Sequence, residues 1–160
     1  MSRHTEQRDS IPTSEARVRE LRILLAEADN QTREQIAAAL RDDGYDVLES
    51  TNGFELLDQL RTPLLLTERA EWPAAIIMGV WLPGISGIPI LEGLRSVGLT
   101  MPIVLLSGTF KREQRHKYEQ LGADAIFEKP FETDDLRTVV LNLVPTARRS
   151  GTLRPESTAA

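Results

Sequence analysis

Cysteine is absent from this 160-residue chain, which excludes disulfides and thiolate metal sites. Histidine occurs only as His4 and His116, far apart in sequence, leaving little material for a zinc site or a catalytic triad. An excess of positive charge is also missing. The net charge of -5 argues against broad affinity for nucleic acid, which needs a basic footprint. No apolar run approaches the length of a membrane span. The opening Met1-Ser2-Arg3-His4-Thr5-Glu6 is polar and lacks the apolar core of a signal peptide, so a cytoplasmic location is the default expectation. Internal repeats and low-complexity tracts are absent between the termini.

What is present fits one ordinary globular core. Hydrophobic residues at 41% and charged residues at 27% are near the averages for soluble domains. The polar, mixed-charge start predicts a flexible arm over residues 1–19, and the polar end a flexible tail over 146–160. Between them, residues 20–145 are expected to form the domain.

Within that stretch, short apolar runs alternate with segments of helical period. The strand candidates are Arg22 to Ala26, Tyr45 to Glu49, Ala74 to Met78, Pro102 to Leu106 and Ala125 to Phe127. The first intervening helix runs from Asn30 to Arg41, with Ile36, Ala37 and Leu40 on one face and Gly44 just past its end. The next spans about Phe54 to Leu60 with Leu56, Leu57 and Leu60, and Pro63 interrupts the pattern. A third carries Ile90, Leu91 and Leu94. Lys111 to Leu121 makes a polar fourth. Thr133 to Leu143 closes the domain with Leu136, Val139, Val140 and Leu143 inward, and Asp134 and Asp135 complement its positive N-terminal end. Five strands alternating with helices predict an α/β fold, a parallel sheet with helices on both faces. Strands that are continuously apolar, not alternating, fit a sheet buried on both sides.

Three motifs add to this pattern. They are Glu27-Ala28-Asp29-Asn30 with Arg33-Glu34 beyond it, the turn Gly79-Val80-Trp81-Leu82-Pro83-Gly84-Ile85-Ser86-Gly87, and Gly122-Ala123-Asp124-Ala125-Ile126-Phe127-Glu128-Lys129-Pro130-Phe131. In this order they resemble the response-regulator receiver domains of two-component phosphorelay signalling, over about Leu21 to Val144. The resemblance implies a flavodoxin-like, doubly wound, five-stranded sheet of order 2-1-3-4-5. It also implies a phosphoryl-transfer pocket at the strand carboxyl ends, where such folds place ligands.

Residue by residue, the resemblance gives a depleted pocket. The family's acceptor aspartate corresponds to Gly79, which has no side-chain oxygen. Its acidic pair corresponds to Glu27 and Ala28, so the direct metal ligand is missing; Asp29 belongs to the following loop. A one-residue slip would bring Asp29 closer at the expense of the Arg33-Glu34 alignment. Ser107 and Lys129 match the hydroxyl and lysine that face phosphate oxygens. The aromatic switch position is Ile126. Neither a metal nor another cofactor is therefore expected, and Lys129 reads first as the partner of Glu27, in a Lys-Pro turn that is cis in the family.

The expectation is a stand-alone pseudo-receiver, not an enzyme, acting through phosphorylation-independent contacts with signalling proteins. The tails leave no room for an output domain. Lys111, Arg112, Arg115, Lys117 and Tyr118 on the fourth helix mark the candidate interaction surface. With the fifth strand and fifth helix, this surface could also form a homodimer. A membrane role is not expected. Nucleic acid is an unfavoured partner because no aromatic platform or second basic element accompanies that helix. Thr62 to Pro73, with Pro63-Leu64-Leu65-Leu66, reads as a helix extension covering a sheet edge or as a partner patch. Two alternatives stand beside this reading. One is an active receiver that uses a displaced acid. The other is a small-molecule-binding flavodoxin-like module, against which the acidic loop after the first strand lacks a glycine-rich cradle.

Overall fold

The structure is a computed structural model that describes residues 21–65, 72–109 and 111–146. The proposed arm and tail lie almost wholly outside the described residues, as does much of the Thr62 to Pro73 connection. Among the described residues, five strands, β1 (Arg22–Ala26), β2 (Asp46–Ser50), β3 (Ala75–Gly79), β4 (Ile103–Ser107) and β5 (Ala125–Glu128), alternate with five helices. These are α1 (Asn30–Asp42), α2 (Gly53–Leu65), α3 (Gly87–Ser96), α4 (Arg112–Gln120) and α5 (Thr133–Leu143). All strand pairs are parallel, in the order β2-β1-β3-β4-β5. This is the doubly wound α/β arrangement expected from the sequence.

The apolar runs explain both faces of the sheet. Side chains alternate across a strand, so β1 sends Leu24 and Ala26 to one face and Ile23 and Leu25 to the other. On the first face they meet Leu56 and Leu60 of α2, Ile90, Leu91 and Leu94 of α3, and Tyr118 of α4. On the second they meet Ile36, Ala37 and Leu40 of α1 and Leu136, Val140 and Leu141 of α5. Every residue of β3 and β4 is buried, while the edge strands β2 and β5 are buried only in part.

Several helix details differ from the expected pattern. Leu57 is exposed, because the stripe through Leu56 and Leu60 points about a quarter-turn away from it. On α5 the buried stripe runs through Leu136, Val140 and Val144 with Leu141 beside it, so Val139 and Leu143 are only half-buried. Helix α2 continues through Pro63 to Leu65, since a proline forgoes its own bond to the carbonyl four residues back without obliging the chain to stop. The β2 strand is shifted by one residue. Tyr45 precedes it, buried, with its hydroxyl donating to the carbonyl of Val144.

Interlayer ties lie mainly at the amino-terminal ends of the strands and between helices. Arg95 donates to the carbonyls of Gly122, Leu99 and Met101 and to the Asp124 carboxylate, joining α3 to the turn before β5. Arg137 of α5 forks onto Asp43 at the end of α1, with its two nitrogens 2.9 and 2.7 Å from the carboxylate oxygens. The opposite ends of the strands are left to the loops that form the pocket.

Candidate functional site

Strand register decides which residues meet in the pocket. Ala26 lies opposite Met78, so the next residue on β1's side, Glu27, comes beside Gly79 at the end of β3. Gly79 pairs with Leu106, and Ser107 with Glu128, which brings Ser107 and Lys129 to the same end of the sheet. The backbone ties these ends together. The Lys129 N–H donates to the Ser107 carbonyl at 2.7 Å and the Val80 N–H to the Leu106 carbonyl at 2.8 Å. The Lys129-Pro130 peptide bond is cis.

Glu27 is the central group. It is only 2% exposed, yet it carries a carboxylate, which must find compensation when withdrawn from water. Lys129 provides it: the ammonium donates to Glu27 Oε1, while the lysine side chain stays 35% exposed. The other carboxylate oxygen turns toward Gly79. A β-carbon on residue 79 would lie 2.9 Å from Glu27 Oε2 and 3.3 Å from Leu82 Cδ2. The space that a side chain at position 79 would need is thus already taken by the Glu27 carboxylate.

Arg33 holds the other end of Glu27. Its guanidinium is buried on the apolar side of α1, where it donates to the Glu27 carbonyl at 2.9 Å and to Asn30 Oδ1 at 2.8 Å. A third contact reaches Glu49 Oε1 at 3.3 Å, and Arg41 meets the other Glu49 oxygen. The β1–α1 loop is therefore fixed through its main chain to α1 and β2. In the sequence Arg33 stands out only as part of the Arg33-Glu34 motif. Its spacing from Ile36, Ala37 and Leu40 on one helical face was the available sign that it is buried.

The remaining pocket positions are chemically sparse. Ala28 is exposed and offers no ligand atom. Asp29 is the N-cap of α1, accepting from the Thr32 N–H at 3.0 Å and from the Thr32 hydroxyl. Those two bonds, with smaller contributions from the charges of Lys129 and Arg33, hold its carboxyl below the ordinary aspartate value. Ser107 is buried at the end of β4. Mg²⁺ binding calls for carboxylate oxygens free to enter an octahedral shell. Here the one buried carboxylate is engaged by Lys129, and Ala28 and Gly79 add none, so the residues present do not fit that ion. Among the described residues no cluster of three His, Asp or Glu side chains could hold a metal.

At the switch position, Ile126 is buried in the core. Lys111 just before α4, and Arg112, Arg115 and Lys117 on it, are exposed, as expected. Tyr118 corrects the surface proposed from sequence: it is 9% exposed and packs in the core beneath α4. As the one large apolar residue of a very polar helix, it anchors α4 to the sheet.

With this geometry in hand, residues 23–141 match the family model described as the response regulator receiver domain. The chain belongs to the response regulator receiver family. The probable transcriptional regulatory protein SilR of Salmonella typhimurium is 34% identical over 137 residues, 86% of this chain and 55% of that protein. The response regulator MprA of Mycobacterium avium is 29% identical over 116 residues, 72% of this chain and 47% of that protein. This receiver thus spans about half the length of the curated relatives it matches. A putative response regulator from Chloroflexus aurantiacus superimposes with a TM-score of 0.66 at 28% identity, over 79% of this chain and 98% of that one. A CheY-like receiver domain protein from Methanospirillum hungatei gives 0.65 at 22% identity, over 76% of this chain and 91% of that chain, a likeness of fold. Among the described residues of the receiver, no helix is long and apolar enough to cross a membrane.

Proposed function

We propose that this receiver is a pseudo-receiver that signals by phosphorylation-independent contact with partner proteins and catalyses no reaction of its own. The observation that carries the reading is the occupation of the acceptor position. Residue 79 lacks a side chain, and the adjoining space holds the Glu27 carboxylate, itself bound to Lys129. Phosphoryl transfer requires an attacking oxygen in line with phosphorus and cations to neutralise the developing charge. Gly79 supplies no oxygen, and Lys129 is already neutralised by Glu27. Asp29, the acid in the loop after Glu27, is committed to capping α1, which disfavours its use as a displaced acceptor.

Contact with partners is proposed to use the α4 end of the domain, where Lys111, Arg112, Arg115 and Lys117 offer an exposed basic face to an acidic protein surface or, with β5 and α5, to a second copy. The test is incubation with acetyl phosphate and Mg²⁺ followed by intact-mass measurement. No phosphoryl adduct is expected under conditions that label a receiver carrying the aspartate. An adduct on any carboxylate of the chain would overturn the reading.

A further inference from the structure

Four large hydrophobic side chains are exposed among the described residues, and three of them, Phe54 (60% exposed), Leu57 (37%) and Trp81 (76%), belong to the start of α2 and to the β3–α3 turn. Phe54 and Leu57 stand three apart on α2 and so share one side of it. The Phe54 ring lies over Gly84, where a β-carbon would be 2.5 Å from it. The Gly53 N–H donates to the Pro83 carbonyl at 3.1 Å, which fastens the start of α2 to the β3–α3 turn carrying Trp81. Two aromatic side chains are thereby held out to solvent on anchored backbone, at the α2 end of the layer and away from the basic α4.

The surroundings are acidic. Glu55 and Asp58 are exposed on α2 and Glu92 on α3, against the cation Arg61. The Glu55 carboxylate is fixed at the helix start by the Thr51 N–H and hydroxyl. Arg95, the other cation of these two helices, is turned to the carbonyls of Gly122, Leu99 and Met101. Exposed aromatics and exposed carboxylates on the same joined elements suit an occupant bearing both apolar and cationic side chains.

We propose that this face, Phe54, Leu57 and Trp81 with Glu55 and Asp58, docks a basic amphipathic segment of a partner protein. The proposal rests on the reading that the receiver works by binding, and it names the chemistry of one partner. A second copy using α4 fits less well. The exposed residues of α4 are polar throughout and its one large apolar residue, Tyr118, is buried, so α4 would meet the carboxylates and leave the aromatics uncovered. Trp and Tyr dominate the energetics of such interfaces, with polar residues as a surrounding rim.

The test uses isotope-labelled full-length chain titrated with a synthetic Leu/Lys amphipathic helix, and separately with its Leu/Glu counterpart. The Leu/Lys peptide is expected to shift amide signals at 53–58 and at Trp81, Leu82, Gly84 and Ile85, and to bind at least about tenfold more weakly to Trp81→Ala and Phe54→Ala. Asp58→Asn is expected to weaken binding a few-fold and to flatten its salt dependence. Shifts elsewhere, equal binding by the aromatic variants, or equal binding of the Leu/Glu peptide would overturn the proposal. So would shifts at these residues on concentrating the protein alone, which would assign the face to a second copy. The wild-type mapping needs no variant to fold. Acetyl phosphate labelling on the same sample separates the two readings: an adduct overturns phosphorylation independence, whereas a silent peptide titration without an adduct overturns only the docking face.

Discussion

Glu27 Oε2 lies 2.9 Å from the point where a β-carbon on Gly79 would stand, and its companion oxygen is bonded to Lys129. Residues 27 and 79, far apart in sequence, therefore share one small volume. A longer acid on β1's side occupies what an absent side chain on β3 leaves, and Lys129 makes that acid tolerable in the interior.

Gly79→Ala should destabilise the domain by about 1–2 kcal/mol, because the new methyl meets a carboxylate that Lys129 holds in place and the nearby Leu82 side chain. In a Glu27→Ala background the same change should cost markedly less. A double-mutant cycle by urea denaturation checks this, with a coupling of about 1 kcal/mol expected and strict additivity counting against the shared volume. Gly79→Asp alone should remain unlabelled by acetyl phosphate, because its carboxylate would enter beside that of Glu27.

Breaking the ion pair from its two ends should not be equivalent. Glu27 is 2% exposed and Lys129 35% exposed on the side-chain scale. Lys129→Met strands a buried carboxylate and should cost about 2–3 kcal/mol, somewhat under the range for fully buried pairs. Glu27→Gln leaves an ammonium that can swing into water and should cost about 1 kcal/mol. Equal losses of melting temperature in the two variants would show that burial is not what separates them.

Arg33→Met should destabilise by about 2 kcal/mol, since it leaves the Glu27 carbonyl without its donor at 2.9 Å and uncouples Glu49 from the loop. Arg33→Lys should recover little, as an ammonium cannot reproduce the fork that spans Glu27, Asn30 and Glu49. Hydrogen exchange at residues 27–30 should rise in both variants before it rises in β3 or β4.

Asp29 supplies a pH dependence whose sign follows from its depressed carboxyl. The folded value lies below the ordinary 3.8, so its contribution is complete above about that pH and is lost as pH falls through the folded value. The stability difference between wild type and Asp29→Ala should be constant from neutral pH to about 4.5 and shrink below it. A difference that grows on acidification would contradict the capping role assigned to the charged form.

Much of this was legible in the order of residues. The runs Ile23-Leu24-Leu25, Ile76-Ile77-Met78 and Ile103-Val104-Leu105 show central strands because only a strand covered on both faces has no polar side. Gly44 appears with φ of 98° where the first helix ends. That residues 79 and 28 are glycine and alanine, neither with a side-chain oxygen, needed no coordinates. Side-chain facing around the helices was less legible. Val139 and Leu143, expected inward, are only half-buried, and Tyr118, expected on the surface, is buried, because helical spacing gives a face without saying which neighbour it meets. Tyr118 in particular looked like part of a charged surface, although a helix with one large apolar residue buries it to hold on.

The sequence by itself determined a parallel α/β receiver fold with glycine at residue 79, since strand type and side-chain chemistry are local properties of the chain. The pairing of Lys129 with Glu27 was already expected from the sequence, whereas tertiary structure alone decided that Glu27 fills the place beside Gly79 and that Arg33 secures it from behind. Those relations depend on strand register and on the competition of buried charges for partners. Both arise only when segments a hundred residues apart are brought to the same end of one sheet.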